Sequence, residues 1–216
     1  MMSIEEQENN SIEVEELTLF KQECIDLNEG VVVQKHLIDG PSYFFQLYYD
    51  QHEEFMFKKA LATSLDVHIR DIAIVGSGKL GFSIKPVKDQ PGLYLFKNFD
   101  HDFDLDNDEK KSDLDIAIVS SELFDKQLLS LYEHTDCYMG TIFKNRNQLA
   151  KYVLKGWIRP DCLPDGYNIS PTIDNVRAEF KRKYNRDVNI GIYKSWKYFE
   201  SYHINNVRSI KLNLIA

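Results

Sequence analysis

The sequence is poor in cysteine, in net positive charge and in long apolar runs, and each lack excludes a class of protein. Its three cysteines lie far apart and form no Cys-x-x-Cys pair, so we expect neither a disulfide framework nor a zinc site. The net charge of −8 argues against a broad DNA-binding or RNA-binding surface, which needs clustered lysine and arginine. The sequence contains no run of about 18 apolar residues and no signal-peptide pattern, so we expect a cytoplasmic protein without a membrane segment.

The chain does contain enough apolar material for a packed core. Hydrophobic residues make up 43% of its 216 residues, which suits one well-buried domain with helical additions. Strand-like and helix-like segments alternate, which predicts an α/β (α+β) protein with a mixed sheet. The expected divisions are a flexible acidic leader at 1–16, a helical lead-in at 17–70, a core at 71–194 and a C-terminal helix at 195–216.

Three short segments have the patterns of core strands. Residues 72–75 are a β-branched run that stops at Gly76, as in a buried strand that ends in a turn. Residues 113–119 alternate, which places Asp113 and Asp115 on one face, and residues 188–192 alternate in the same way. Around these strands we expect helices at 42–65, 121–134, 145–157, 170–184 and 195–212, and further strands at 93–96 and 137–143.

The two aspartates of the second strand predict a metal site. Residues two apart on a strand have Cα atoms roughly 6.5–7 Å apart and side chains on the same face. Two carboxylates that converge in this way repel each other unless a cation lies between them, and oxygen ligands suit Mg²⁺ or Mn²⁺. We therefore predict that Asp113 and Asp115 bind Mg²⁺ or Mn²⁺. A pair of such ions about 3.5–4 Å apart can activate a hydroxyl group and stabilise a pyrophosphate leaving group, which is the chemistry of nucleotidyl transfer.

The first strand leads into a segment suited to binding phosphate. Glycine lets the backbone approach a charged group closely, and a serine hydroxyl with its neighbouring amides can bond phosphate oxygens. A lysine in the same turn adds positive charge. The candidate nucleotide-binding residues are Gly76, Ser77, Gly78, Lys79 and, before the first aspartate, Ser112.

The order strand, Gly76-Ser77, then a second strand with Asp113-Leu114-Asp115 resembles the nucleotidyltransferase superfamily of DNA polymerase β. The resemblance covers about residues 55–195 and implies a mixed-sheet nucleotidyltransferase fold with flanking helices. It also implies a nucleoside triphosphate substrate, with ATP as the first expectation, and Mg²⁺ as the metal. The acceptor stays open between RNA, a protein partner and a small molecule. Small bacterial members that are similar act as toxins or in antiviral defence.

Two departures from the superfamily pattern affect catalysis. The long spacing between Ser77 and Ser112 implies an insertion at 82–111, which we expect to contain a hairpin. The resemblance also implies a third acid on a later strand, yet Asn189 stands where that aspartate is expected. Asp187, one pleat earlier, is the acidic substitute. If neither residue serves, the chain is a catalytically degenerate nucleotide-binding or interaction module, because the third carboxylate helps to deprotonate the acceptor.

Other motifs support weaker interpretations. Residues 76–81 satisfy GxGxxG, with Asp100 downstream, but prolines interrupt the helix that a Rossmann dinucleotide-binding fold requires, so this is a minor alternative. Alternating aspartates at 102–108 lack the glycine and helix pair of an EF-hand, so we expect a flexible acidic loop. Arg159 keeps two interpretations, a loop anchor and a contact to phosphate.

Overall fold

The computed structural model describes residues 4–90, 93–101, 103, 111–140, 142–143, 145–169 and 171–215, with side chains from Glu15 onward. The described helices are α1 (Ile4–Asp26), α2 (Glu29–Val33), α3 (Tyr43–Tyr48), α4 (Gln51–Leu65), α5 (Ser77–Leu80), α6 (Ser121–His134), α7 (Arg146–Leu154), α8 (Pro171–Tyr184) and α9 (Trp196–Ile215), with a π-helix at Gln34–Ile38 and 3₁₀ turns at Ile69–Asp71 and Pro160–Cys162. The strands are β1 (Ile72–Val75), β2 (Phe82–Pro86), β3 (Tyr94–Asn98), β4 (Leu114–Val119), β5 (Trp157–Ile158) and β6 (Val188–Tyr193). The chain is therefore a mixed helix and strand protein, as the alternating sequence patterns predict. No helix in this part of the chain has the length and apolarity needed to cross a membrane.

The chain divides into two compact units instead of the single core that its length predicts. The first unit contains residues 1–54, 74–112 and 203–216, and the second contains 55–73 and 113–202. Helices α4 and α9 and strand β1 each have residues in both units. Hydrophobic composition sets how much core a chain can build, but it does not set how long-range contacts divide that core.

The first unit has a largely helical core. Phe20 and Cys24 of α1 pack with Val32 of α2, with Phe82 of β2 and with Val207 of α9, and all of these side chains are buried. Residues 4–16, expected to form a flexible leader, instead belong to α1. Neither glycine nor proline interrupts 4–26, and glutamate favours helix, so the local sequence permits this long helix.

The predicted insertion at 82–111 does contain a hairpin. Strands β2 and β3 pair antiparallel, from Phe82 opposite Asn98 to Pro86 opposite Tyr94. The run of aspartates that suggested an EF-hand lies outside the described residues, because 102 and 104–110 are not among them.

A four-stranded mixed sheet has the order β1-β4-β6-β5, and its strands β4, β5 and β6 belong to the second unit. Strands β4 and β6 pair in parallel, with Leu114 opposite Val188 and Asp115 opposite Asn189. Strand β5 pairs antiparallel with β6. The apolar residues of β4 and β6 are buried, as their alternation predicts.

The helices α6 and α8 begin and end where the sequence predicts. The Ser120 side chain caps α6 by accepting a hydrogen bond from the amide of Leu123 at 3.2 Å. In α8, Ile173, Val176 and Phe180 are buried at helical spacing. The Phe180 ring lies 4.4 Å from that of Phe57 on α4, centroid to centroid, and this contact holds α8 against α4 within the unit.

The prediction of a strand at 137–143 is wrong for the residues of that segment that the structure describes. Asp136, Cys137 and Tyr138 have φ values of 51°, 53° and 68°, so three successive side-chain-bearing residues are left-handed and form a turn. The Thr135 hydroxyl group donates to the Leu131 carbonyl at 2.8 Å and accepts from the Tyr138 amide at 3.3 Å. The amides of Cys137, Met139 and Gly140 also donate to nearby backbone carbonyls, so these amides are used locally and not in strand pairing.

Candidate functional site

The parallel pairing of β4 with β6 brings three predicted site residues together. The Asn189 amide nitrogen Nδ2 donates to Asp113 Oδ2 at 2.5 Å and to Asp115 Oδ1 at 3.2 Å. The prediction that the two aspartates share a face is therefore confirmed. One oxygen of each carboxylate lies within hydrogen-bond distance of the same Asn189 nitrogen, so the two carboxylates are close enough to share one ligand.

The surroundings of Asp115 disfavour its charged form. Burial first, and repulsion from Asp113 second, raise the pKa of this carboxyl group from an ordinary value of 3.8 to about 6. The hydrogen bond from Asn189 and the positive charge of Arg159 oppose this shift in the pKa, while Asp161 adds to it. A cation between the two aspartates would relieve both desolvation and repulsion.

Asn189 and not Asp187 occupies the third position of the site. Asn189 lies directly opposite Asp115 in the sheet and contacts both carboxylates. The Asp187 carboxylate forms an ion pair with Lys181 Nζ at 2.6 Å on α8. Asn189, and not the tentatively assigned Asp187, is therefore the residue that contacts both aspartates.

The donor set at this face fits a hard divalent cation with few protein ligands. No cluster of three His, Cys, Asp or Glu side chains with metal-binding geometry occurs in the described ranges. The available ligands are the carboxylates of Asp113 and Asp115 and the amide oxygen of Asn189. An amide nitrogen does not bind Mg²⁺, so binding requires the Asn189 amide to turn over and present its oxygen. All three ligands would then be oxygen atoms, which Mg²⁺ prefers.

Trp157, Tyr193 and Arg159 form an aromatic and cationic wall on the same face of the sheet. Trp157 of β5 lies opposite Tyr193 of β6, and their rings stack at 5.1 Å with an interplanar angle of 8°. The Trp157 indole also covers Gly191, where a Cβ atom would lie 2.5 Å from the indole nitrogen. Only glycine permits this approach. Two residues after Trp157 comes Arg159, whose charge acts on Asp115.

Sequence reasoning did not find this wall. The alternation of residues 188–192 places Gly191 on the same face as Asn189. A glycine within a strand often indicates that another group approaches closely, and this was the one indication in the sequence. A strand of two residues, as β5 is, shows no periodicity.

The phosphate-binding segment predicted at Gly76 and Ser77 lies in the first unit. Gly76 has φ 67° and ψ −151°, a conformation that essentially only glycine adopts. Helix α5 then covers four residues and ends at Gly81, which has φ 82°. The expectation that no long helix opens here is confirmed, and the Rossmann interpretation consequently lacks the helix on which it depends.

Two of the predicted nucleotide-binding side chains hold loops of the first unit. Lys79 Nζ donates to the carbonyl oxygens of Asp39 at 2.8 Å and Gly40 at 2.6 Å, and the side chain is buried. The Ser112 hydroxyl group accepts from the Asp100 amide at 3.0 Å, and the Ser112 amide donates to the Asp100 carboxylate at 2.8 Å. The binding of nucleotide by Gly76, Ser77, Gly78, Lys79 and Ser112 stays a prediction.

Comparisons of the chain with protein-family models, with curated proteins and with solved structures found no match. The resemblance to the nucleotidyltransferase superfamily accordingly stays an expectation from the motif residues, and the convergence of Asp113, Asp115 and Asn189 carries the functional proposal.

Proposed function

We propose that this chain is a metal-dependent nucleotidyltransferase that uses a nucleoside triphosphate, with ATP as the first candidate. The observation that carries the proposal is the proximity of the two carboxylates. One oxygen of Asp113 and one of Asp115 lie 2.5 and 3.2 Å from the same atom, Asn189 Nδ2. Placing both charges on a partly buried face is costly unless a cation binds there, which supports a Mg²⁺ or Mn²⁺ site. When bound, the metal would supply charge stabilisation for the phosphates.

The protein residues have distinct roles in this proposal. Asp113 and Asp115 would hold and orient the metal. In the metal-free chain the Asn189 amide group donates to both carboxylates, and its oxygen would face the metal after the amide turns over. Asn189 cannot accept a proton from the acceptor, because an amide is not basic. The acceptor proton must therefore pass to one of the two aspartates or to water. The acceptor itself is RNA, a protein or a small molecule, in keeping with the toxin and defence members that the motif resembles.

A second candidate function is a catalytically degenerate module that binds nucleotide without transferring it. The observation that favours it is the identity of Asn189, which contacts both aspartates where the superfamily pattern has an acid. Such a module would bind a nucleotide or a protein partner and act through that binding alone.

Calorimetric titration tests the binding step that both functions share. We expect ATP to bind the full chain in the presence of Mg²⁺ and to bind much more weakly with EDTA. The variant Asp113→Asn/Asp115→Asn should lose the metal-dependent signal. Asp187→Asn is the matched control, because Asp187 immediately precedes β6 and forms an ion pair with Lys181. A metal-independent signal, or one that survives the double substitution, contradicts the proposal.

Labelling separates the two candidate functions. The wild-type chain is incubated with each nucleoside triphosphate, labelled at the α-phosphate, together with a cell extract. A labelled acceptor that depends on Asp113 and Asp115 supports the transferase. Binding without labelling supports the module, and labelling that appears only in Asn189→Asp would identify the missing acid as the cause.

A further inference from the structure

Arg159 is held in a defined position at the edge of the carboxylate face. Its Nη1 donates to the Tyr152 hydroxyl oxygen at 2.7 Å, and its Nε lies 2.5 Å from a carboxylate oxygen of Asp161. The guanidinium carbon is 4.9 Å from the centre of the Tyr152 ring and 5.3 Å from that of Trp157. These contacts fix the plane of the guanidinium group before any ligand binds.

The sheet register directs Arg159 toward the aspartates. Trp157 lies opposite Tyr193, and Ile158 lies opposite Ile192, so the antiparallel chain runs toward Asn189. Arg159 keeps an extended backbone, with φ −93° and ψ 125°, and therefore continues this direction. Its side chain shares a face with Trp157, two residues earlier, which is the face that covers Gly191.

The guanidinium group keeps donors for a ligand. It has five N–H groups. One on Nη1 donates to Tyr152, and the one on Nε faces Asp161. Within the described part of the chain, Nη2 has no hydrogen-bond partner, and the side chain is 32% exposed. A planar donor pair of this kind suits the oxygens of a phosphate group.

We infer that Arg159 binds the phosphate chain of the ligand whose metal Asp113 and Asp115 hold. This inference rests on the proposed function and names a phosphate subsite within the second unit. Two carboxylates repel an incoming polyphosphate, so a fixed positive charge on the same face offsets part of that repulsion. Asp161, which is 59% exposed, competes with the phosphate for Nε.

The test uses the full chain, Mn²⁺ and inorganic tripolyphosphate in calorimetric titrations. Arg159→Gln should weaken tripolyphosphate binding by roughly 10- to 100-fold, the range for lost hydrogen bonds to a charged group. Binding of Mn²⁺ alone should change less than about twofold. Lys155→Gln is the matched control, because Lys155 also lies over the Tyr152 ring, at 5.7 Å. Asp161→Asn should tighten tripolyphosphate binding.

The outcomes separate this inference from the proposed function. Equal tripolyphosphate binding by Arg159→Gln and wild type, or parallel loss of Mn²⁺ and tripolyphosphate binding in Arg159→Gln, overturns the phosphate subsite. The second result would mean that Arg159 only anchors Trp157 and Tyr152. Wild type that binds tripolyphosphate but not ATP supports the subsite and contradicts the proposed function. Wild type that binds ATP but not tripolyphosphate overturns the subsite alone.

Titrations with ATP, ADP and AMP give a second test, because a purely structural role for Arg159 would not make the loss of affinity depend on the number of phosphates. If Arg159 contacts the outer phosphates, the loss in Arg159→Gln should be large for ATP, smaller for ADP and absent for AMP, each titrated with Mn²⁺. A loss that is equal for all three nucleotides overturns the inference.

Discussion

Replacing Asp115 with asparagine should stabilise the second unit of the metal-free protein. The ionised carboxylate is held at a partly buried position next to Asp113, and its pKa is raised from 3.8 to about 6. A shift of this size corresponds to about 3 kcal/mol of lost stability once the pH lies above both values. Asparagine has nearly the same shape, and its amide oxygen can still accept from Asn189. We therefore expect Asp115→Asn to gain up to about 3 kcal/mol at about pH 7.5.

The gain should depend on pH in a defined direction. Folded wild type binds the Asp115 proton more tightly than the unfolded chain, so its stability rises as the pH falls from about 6 toward 3.8 and is lost as the pH rises. The difference between Asp115→Asn and wild type should therefore shrink toward zero at about pH 4.

Tryptophan fluorescence during urea unfolding in EDTA measures this effect in the correct unit. The chain has two tryptophans, and both Trp157 and Trp196 belong to the second unit. Asp174→Asn on α8 is the control, because that exposed carboxylate should alter the unfolding free energy by less than about 0.5 kcal/mol. Saturating Mg²⁺ should stabilise wild type by about 2.7 kcal/mol at a hundredfold excess over its dissociation constant and leave Asp115→Asn unchanged. A variant that is less stable than wild type, or a gain that is the same at both pH values, would refute the reasoning.

Three further predictions concern single residues. Asn189→Asp places a third carboxylate against the pair, so the metal-free second unit should lose at least about 2 kcal/mol at neutral pH, and Mg²⁺ should raise its unfolding midpoint more than that of wild type. Gly191→Ala puts a Cβ atom 2.5 Å from the Trp157 indole nitrogen, so urea unfolding followed by fluorescence should show a loss of about 1–3 kcal/mol. Gly76→Ala forces a side chain into φ 67° and ψ −151°, so the free energy of unfolding, from urea titration followed by circular dichroism, should fall by about 1–3 kcal/mol. Ser77→Ala is the control and should leave this free energy unchanged.

The strands that carry the site could be predicted because their patterns are local. Residues 72–75 and 113–119 show β-branched or alternating sequence, and both segments form strands within one residue of the expected limits. The pairing of Asp115 with Asn189 was also within reach, since the sequence already placed Asn189 where the third acid belongs. Which of Asp187 and Asn189 faces the aspartates depends on strand register and on the position of Lys181, and no local pattern encodes either.

Other features escaped prediction because specific contacts, and not hydrophobic patterns, determine them. The left-handed turn at Cys137 depends on bonds from Thr135, and the sequence around it has the apolar character of a strand. The position of Arg159 depends on a two-residue strand and on the absence of a side chain at Gly191, which is 32 residues further along the chain. The division into two units depends on which segments meet in space, and α4 and α9 give no local sign of it.

The neutral side chain of Asn189 limits the negative charge of the carboxylate face to that of two aspartates. Two ionised aspartates balance one divalent ion, whereas three acids would leave a negative surplus after the first ion had bound. A second ion would therefore meet an electrically neutral surface and would need anionic ligands of its own, which a polyphosphate provides. The free protein should accordingly take up a single equivalent of Mn²⁺, and any second equivalent should enter together with the nucleotide.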